Sequence, residues 1–141
     1  MASNVITCPA CGTRNRVPAV ASGTPTCAKC KKPLPWITAA DDETFDQVAD
    51  SSKVTVLVDL WAPWCGPCRQ VGPVLEQSAA ENAGRLKLVK VNVDDSPGLA
   101  QQFDARSIPT MLLIKDGKTV ARQVGAPSAA ALKNWVRSNL G

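Results

Sequence analysis

The chain of 141 residues has no histidine and no tyrosine, and aromatic residues make up only 4% of it. Without imidazole, proton transfer falls to carboxylates or amines, and any transition metal must be held by thiolates or carboxylates. No Gly-rich phosphate-binding loop occurs, so a redox role would need electrons from a separate protein. Long apolar runs are absent as well. The longest, Val54 to Trp64, is interrupted by Asp59 and falls far short of a bilayer's thickness. Met1-Ala2-Ser3-Asn4 lacks the basic and apolar regions of a secretory signal, so the expectation is a cytoplasmic protein with no membrane partner. Residues 1–35 contain no acid but hold Arg14, Arg16, Lys29, Lys31 and Lys32, and the rest carries 11 basic against 12 acidic side chains. The net charge of +4 therefore belongs to the N-terminal segment. Five basic residues without interleaved aromatics are a poor nucleic-acid footprint, and a solvated, charge-balancing face is expected instead.

What the chain does have is cysteine, six residues in three Cys-x-x-Cys pairs. Cys8-Pro9-Ala10-Cys11 and Cys27-Ala28-Lys29-Cys30 are separated by 15 residues, a spacing that fits a four-thiolate zinc site. Two such knuckles can close a tetrahedral structural site, with Gly12 suited to the tight turn after Cys11. Two disulfides, or a free thiol cluster acting as a redox sensor, are the alternatives. A lobe of about 35 residues cannot bury a self-sufficient core. Metal binding, on the order of 10 kcal/mol in small zinc modules, would then supply most of its folding free energy. Lys31-Lys32-Pro33-Leu34-Pro35 reads as a stiff connector. The expected domains are a zinc lobe with its linker over 1–35 and a main domain over 36–141. Hydrophobic content of 45% is enough for one real core.

The third pair lies in a different setting. A β-branched apolar run, Val54 to Leu60, leads into Trp64-Cys65-Gly66-Pro67-Cys68, and a helical pattern follows. Positions i and i+3 of a helix have α-carbons roughly 5 Å apart, inside the window that a disulfide requires. Cys65 would stand at the helix N-terminus, where free amides and the helix dipole favour its thiolate, with Cys68 one turn in and more buried. A Cys-x-x-Cys at a strand-to-helix junction is a dithiol redox signature. Asp59, aimed at an apolar interior, should have a raised pKa and could serve as general base for the resolving thiol.

Together, Val58-Asp59-Leu60-Trp61-Ala62, Trp64-Cys65-Gly66-Pro67-Cys68, Lys90-Val91-Asn92-Val93-Asp94, Ser107-Ile108-Pro109-Thr110 and Val124-Gly125-Ala126 resemble the motifs of thioredoxins. Adding the four-cysteine lobe, the chain is similar to the bacterial thioredoxin-2 type. The resemblance implies an α/β thioredoxin fold, a central mixed sheet with helices on both faces, and a protein-disulfide reductase. Cys65 would be the nucleophile, Cys68 the resolving thiol, Asp59 its base and Lys90 the residue tuning Asp59. Gly66 and Pro67 would set the dithiol's properties. A cis-Pro109, with Trp64, Ile108, Val124, Gly125 and Ala126, would dock client segments. The implied cofactors are one structural zinc on Cys8, Cys11, Cys27 and Cys30 and a redox-active Cys65–Cys68 disulfide. The implied partners are thioredoxin reductase and disulfide-bearing clients, with the chain itself a monomer. A reading of another class is a holdase module whose zinc lobe senses oxidation.

Along this domain, the pattern predicts a strand at Trp36–Ala39 and a short helix capped by Asp41 or Asp42. A strand over 54–60 and a long helix from about Cys65 to Ala83 follow, the helix containing Pro73 and closed by Gly84. Leu86–Asn92 is the next strand, with a short helix near 99–103. Thr110–Lys115 and 118–123 form a hairpin about Asp116-Gly117, and an amphipathic helix runs from Ser128 to about Leu140.

Overall fold

The computed structural model describes residues 3–21, 23–50 and 53–140; Met1, Ala2 and Gly141, at the ends of the two expected domains, lie outside them. Strands β3 (Trp36–Ala39), β4 (Thr55–Trp61), β5 (Leu86–Asn92), β6 (Thr110–Lys115) and β7 (Lys118–Val124) form one sheet in the order β3-β5-β4-β6-β7. The first three are parallel, and β6 runs antiparallel to β4 and β7 to β6. Helices α1 (Phe45–Asp50) and α3 (Pro97–Gln102) cover one face; α2 (Gly66–Glu81) and α4 (Ala129–Ser138) cover the other.

Alternation along β4 and β5 sorts side chains between these two cores. Val56, Val58, Leu60, Val89 and Val91 pack with Phe45, Val48 and Leu99. Leu57, Leu86 and Leu88 pack with Val71, Leu75, Leu132 and Val136. Asp59 falls on the second face, toward α2, and pairs in register with Lys90. The hairpin turns through Asp116 (φ 52°) and Gly117 (φ 77°), both in the left-handed region that a two-residue type I′ loop requires. The two candidate caps divide their work. Asp41 accepts from the amides of Glu43 and Thr44 at the start of α1, whereas Asp42 reaches across to the amides of Gly98 and Leu99 in α3.

The N-terminal segment is more ordered than its composition suggests. β1 (Ser3–Thr7) and β2 (Arg14–Pro18) make a separate antiparallel ribbon, pairing Ser3 with Pro18 and Thr7 with Arg14. Val17, Leu34, Cys8 and Cys27 form a small apolar cluster that is completed by Trp36 and Val54 of the main domain. The Trp36 indole donates to the Pro18 carbonyl (3.0 Å) and Asn4 Nδ2 to the Ile37 carbonyl (2.6 Å). Lys87 is wholly buried at this junction, its ammonium donating to the Ala19 and Val48 carbonyls at 2.6 Å each and lying 4.1 Å from the centre of the Trp36 ring. Burial pulls its pKa down to about 8. Pro33 of the connector rests against Gly84, whose φ of +86° turns the chain after α2.

Candidate active site

β4 carries the chain to the top of the sheet, and Ala62, Pro63 and Trp64 turn it into α2. Cys65 is the N-cap (φ −86°, ψ 110°), and its Sγ accepts from the Cys68 amide at 3.2 Å. A sulfur that receives an N-terminal helix amide is held as thiolate more readily than a free thiol. Cys65 and Cys68 are joined as a disulfide with α-carbons 5.3 Å apart. Their burial is nearly equal, 4% and 5% exposed, whereas the helix position alone predicts a more buried Cys68. The reason is that Ile108, Trp61 and Val93 pack over the pair, so Cys65 is covered from outside its own helix.

The Ile108–Pro109 peptide is cis, and the Ile108 carbonyl oxygen lies 3.6 Å from Cys65 Sγ. Pro109 itself is buried, its carbonyl accepting from the Gly125 amide at 2.9 Å, so Ile108 rather than Pro109 reaches the surface. Pairing of Thr110 with Val124 brings Val124, Gly125 and Ala126 to this end of the sheet. Gly66 and Pro67 are exposed at the first turn of α2. Trp64 is 68% exposed, yet its ring is fixed: Nε1 donates to Asp94 Oδ2 at 3.0 Å. Asp94 ends the Lys90–Asp94 motif, yet its contact with Trp64 is not read from the sequence, because the two meet across 30 positions.

Below the disulfide, Asp59 is 1% exposed and its Oδ1 has no hydrogen-bond partner among the described residues. Burial pushes its pKa up to about 6 from an ordinary 3.8; Lys90 pulls it down and Glu76 pushes it up. A cavity of about 260 Å³ opens between them, lined by Asp59, Trp61, Cys68, Gly72, Glu76 and Lys90 among others. Since a water takes about 30 Å³, this space admits a short water bridge from the carboxyl to Cys68. Lys90 Nζ lies 3.9 Å from Glu76 Oε1 and 5.6 Å from the centre of the Trp61 ring. Glu76 carries no mark in the sequence either: it sits on α2 and sees Asp59 only through the fold.

A sequence profile of the family described as Thioredoxin matches residues 36–138. The chain belongs to the thioredoxin family. It is 48% identical over 100 residues to a thioredoxin of Haemophilus influenzae, an alignment covering 71% of this chain and 94% of that one. It is 46% identical over 102 residues to thioredoxin 1 of Synechococcus elongatus (72% and 95% covered). To the chloroplastic M-type thioredoxin of Chlamydomonas reinhardtii it is 45% identical over 102 residues (72% and 73% covered). It is a thiol–disulfide oxidoreductase, and the Cys65–Cys68 disulfide is its redox-active group.

The lobe that precedes this thioredoxin domain gathers the other four cysteines. Their Sγ atoms all lie within 4.8 Å of one another, with Cys8–Cys30 and Cys11–Cys27 at 3.6 Å. Four sulfurs held at the usual Zn–S length in a tetrahedron stand about 3.8 Å apart. The cluster therefore has the size of a closed zinc-thiolate site. Its two knuckles are built alike, Gly12 donating to the Cys8 carbonyl and Lys31 to the Cys27 carbonyl, each at 2.9 Å. Both turn residues have positive φ, 79° for Gly12 and 68° for Lys31. Backbone amides of Cys30 and Lys29 and the Asn15 side chain converge on the Cys27 sulfur and lower its pKa to about 6, whereas, against the Lys32 amide, desolvation and the three neighbouring sulfurs push that of Cys30 up to about 11. No helix of the described residues is long and apolar enough to cross a membrane.

Proposed function

We propose that this is a thioredoxin of the bacterial thioredoxin-2 type, in which Cys65 and Cys68 reduce disulfides of client proteins. The Cys65 thiolate attacks one client sulfur, the S–S bond breaks, and a mixed disulfide forms while the other client sulfur leaves as thiolate. Cys68 loses its proton to the Asp59 carboxylate, directly or through a water, and attacks Cys65. The client departs with two reduced thiols, and the Cys65–Cys68 disulfide remains. Thioredoxin reductase, a separate flavoprotein, returns two electrons to it.

The observation that carries this reading is the pairing of a helix-capping sulfur with a buried carboxyl, its Oδ1 without a hydrogen-bond partner among the described residues, across one cavity from Cys68. Magnitudes favour positioning over activation. Lowering a thiol pKa from about 8.5 to ~7, a value already known for thioredoxin, raises the thiolate fraction roughly 15-fold. Lower nucleophilicity gives back about 5-fold. Holding the resolving thiol one turn away is worth far more, since effective molarities reach ~10⁵ M. Lys90 tunes Asp59, with Glu76 opposing it. Trp64, Gly66, Pro67, Ile108, cis-Pro109, Val124, Gly125 and Ala126 receive an extended client segment, whose backbone bonds to that of Ile108.

Cys8, Cys11, Cys27 and Cys30 would hold one zinc ion, which supplies cross-linking of the lobe and no reactivity. Residues 1–35 and 36–141 act as the two domains, and the protein works as a cytoplasmic monomer. The test is NADPH-coupled insulin reduction with a thioredoxin reductase. The wild type should turn over and Cys65→Ser should not, while Cys68→Ser should trap a mixed disulfide with insulin. Absence of that adduct would overturn the assignment of Cys65.

A further inference from the structure

Asp59 and Lys90 stand directly opposite each other on neighbouring parallel strands, so their side chains leave the sheet on the same face, toward α2. A carboxylate and an ammonium that start from adjacent positions in an apolar setting ordinarily pair. These two do not. Asp59 forms no ion pair, and its Oδ1 has no hydrogen-bond partner, among the described residues. Lys90 turns instead to Glu76, with Nζ 3.9 Å from Oε1, and makes no other ion pair among the described residues.

The surface of α2 accounts for the detour. Cys68, Gly72 and Glu76 follow one another at a spacing of four, so they form one stripe along the helix, and all three line the cavity that Asp59 and Lys90 share. Gly72 is the gap in that stripe. It is buried, and a β-carbon at this position would come 4.0 Å from Lys90 Nζ, so the ammonium passes close over bare helix on its way to Glu76. The other groups around Asp59 do not compete for it. Arg69 of α2 lines the cavity too, but its guanidinium donates to the Pro63 carbonyl at 2.9 Å. Cys68 is held in the disulfide, and β6, on the other side of Asp59, sets the uncharged Met111 opposite it. We propose that Glu76 is a positioning residue of this site: it anchors the Lys90 ammonium along α2 and so keeps Asp59 unpaired, across the cavity from Cys68. This role rests on, and deepens, the reading of Asp59 as proton acceptor for Cys68. A base works best when it titrates near the operating pH, and an Asp59 paired with Lys90 would be too weak a base to hold the proton. Burial is the chief reason that Asp59 titrates near 6, and Lys90 and Glu76 act on it in opposite directions. Transfer of Lys90 from Glu76 to Asp59 is the change that would undo this.

Carboxyl-carbon NMR of the oxidised full-length protein reads the Asp59 titration directly, in the wild type, Glu76→Gln, Lys90→Met and the double variant. In Glu76→Gln the ammonium is released toward Asp59, and the Asp59 midpoint should fall by about one pH unit. That is the lower end of what a neighbouring cation produces, since Lys90 and Glu76 both reach solvent. In the Lys90→Met background the same substitution removes only the negative charge of Glu76, and the midpoint should fall by less than about half as much. An unmoved midpoint in Glu76→Gln would overturn the positioning role. So would an equal fall in both backgrounds, because Glu76 would then act through its own field alone. Insulin reduction followed across pH separates this outcome from the fate of the mechanism. If the Asp59 midpoint moves as expected while the rate profile of Glu76→Gln stays that of the wild type, Asp59 is not the base, and the anchoring of Lys90 by Glu76 stands. If the midpoint and the rate profile move together, both stand.

Discussion

Asp59 is the residue whose burial couples stability to pH and, in the proposed mechanism, chemistry as well. Its folded pKa of about 6 exceeds the ordinary 3.8, so the native state binds a proton that the unfolded chain has already lost between those values. Stability from this group is therefore full below pH 4, falls as pH rises, and reaches its maximum loss above pH 6. A shift of that size amounts to about 3 kcal/mol. Asp59→Asn should raise the stability of the oxidised protein by about that much at pH 7 and by little at pH 4, as urea titrations at the two pH values would show. The same change should slow reduction at neutral pH by removing the proposed proton acceptor for Cys68. An unchanged rate would take Asp59 out of the mechanism. Lys31 offers a second test at this scale. It sits at φ 68°, where its counterpart in the first knuckle is Gly12. An L-residue in that region costs roughly 1–2 kcal/mol, part of which glycine returns as unfolded-state entropy. Lys31→Gly should stabilise the lobe by about 0.5–1 kcal/mol, measured as resistance of the zinc-loaded protein to denaturant.

Among the elements, α3 has an unusual start. Its own N-cap, Ser96, makes no side-chain capping bond; Asp42, 56 residues before Gly98, supplies it to Gly98 and Leu99 at 2.9 and 2.8 Å. Asp42→Ala should cost about 1–2 kcal/mol and Ser96→Ala much less, which thermal melts of the two variants would separate. This division also marks how far the chain's organisation is legible from its residues alone. The strand–dithiol–helix unit, the hairpin and the zinc spacing are local patterns, and the residues that define each lie close together in the chain. Asp41 and Asp42 are equally good caps for α1 by proximity, and only packing of α1 beside α3 separates them. The β1–β2 ribbon leaves no such pattern. It is five residues a side with polar alternation, and its stability rests on the cysteine cluster and Trp36 rather than on strand propensity. Lys87 is the least legible residue. In Leu-Lys-Leu it reads as a solvated position on a half-buried strand, yet the docked lobe closes over it.

At the scale of the whole molecule, that closure ties the four-cysteine cluster to the rest of the structure. The lobe's apolar cluster consists of Cys8, Cys27, Val17 and Leu34, and it is sealed by Trp36, the first residue of the main sheet. Losing the cross-link would release β1 and β2 and remove the Pro18 and Ala19 carbonyls from the Trp36 indole and the Lys87 ammonium. A tryptophan buries about 150–250 Å². At about 25 cal/mol per Å², exposing half of that surface costs about 2–3 kcal/mol, and Lys87 regains water at the same time. Removal of zinc should therefore shift the emission of Trp36 to the red and reduce stability to denaturant by an amount in that range. Trp36→Phe should abolish the spectral change, which separates Trp36 from the three other tryptophans of the chain. The disulfide lies at the far end of β4 from this junction, held by contacts to Ile108, Trp61 and Val93 that involve no lobe residue. Insulin reduction by the zinc-depleted protein at low temperature should consequently remain within about twofold of the loaded form, since no lobe group enters the exchange steps. A loss of activity that parallels the Trp36 signal would show instead that the lobe is coupled to the dithiol through the sheet.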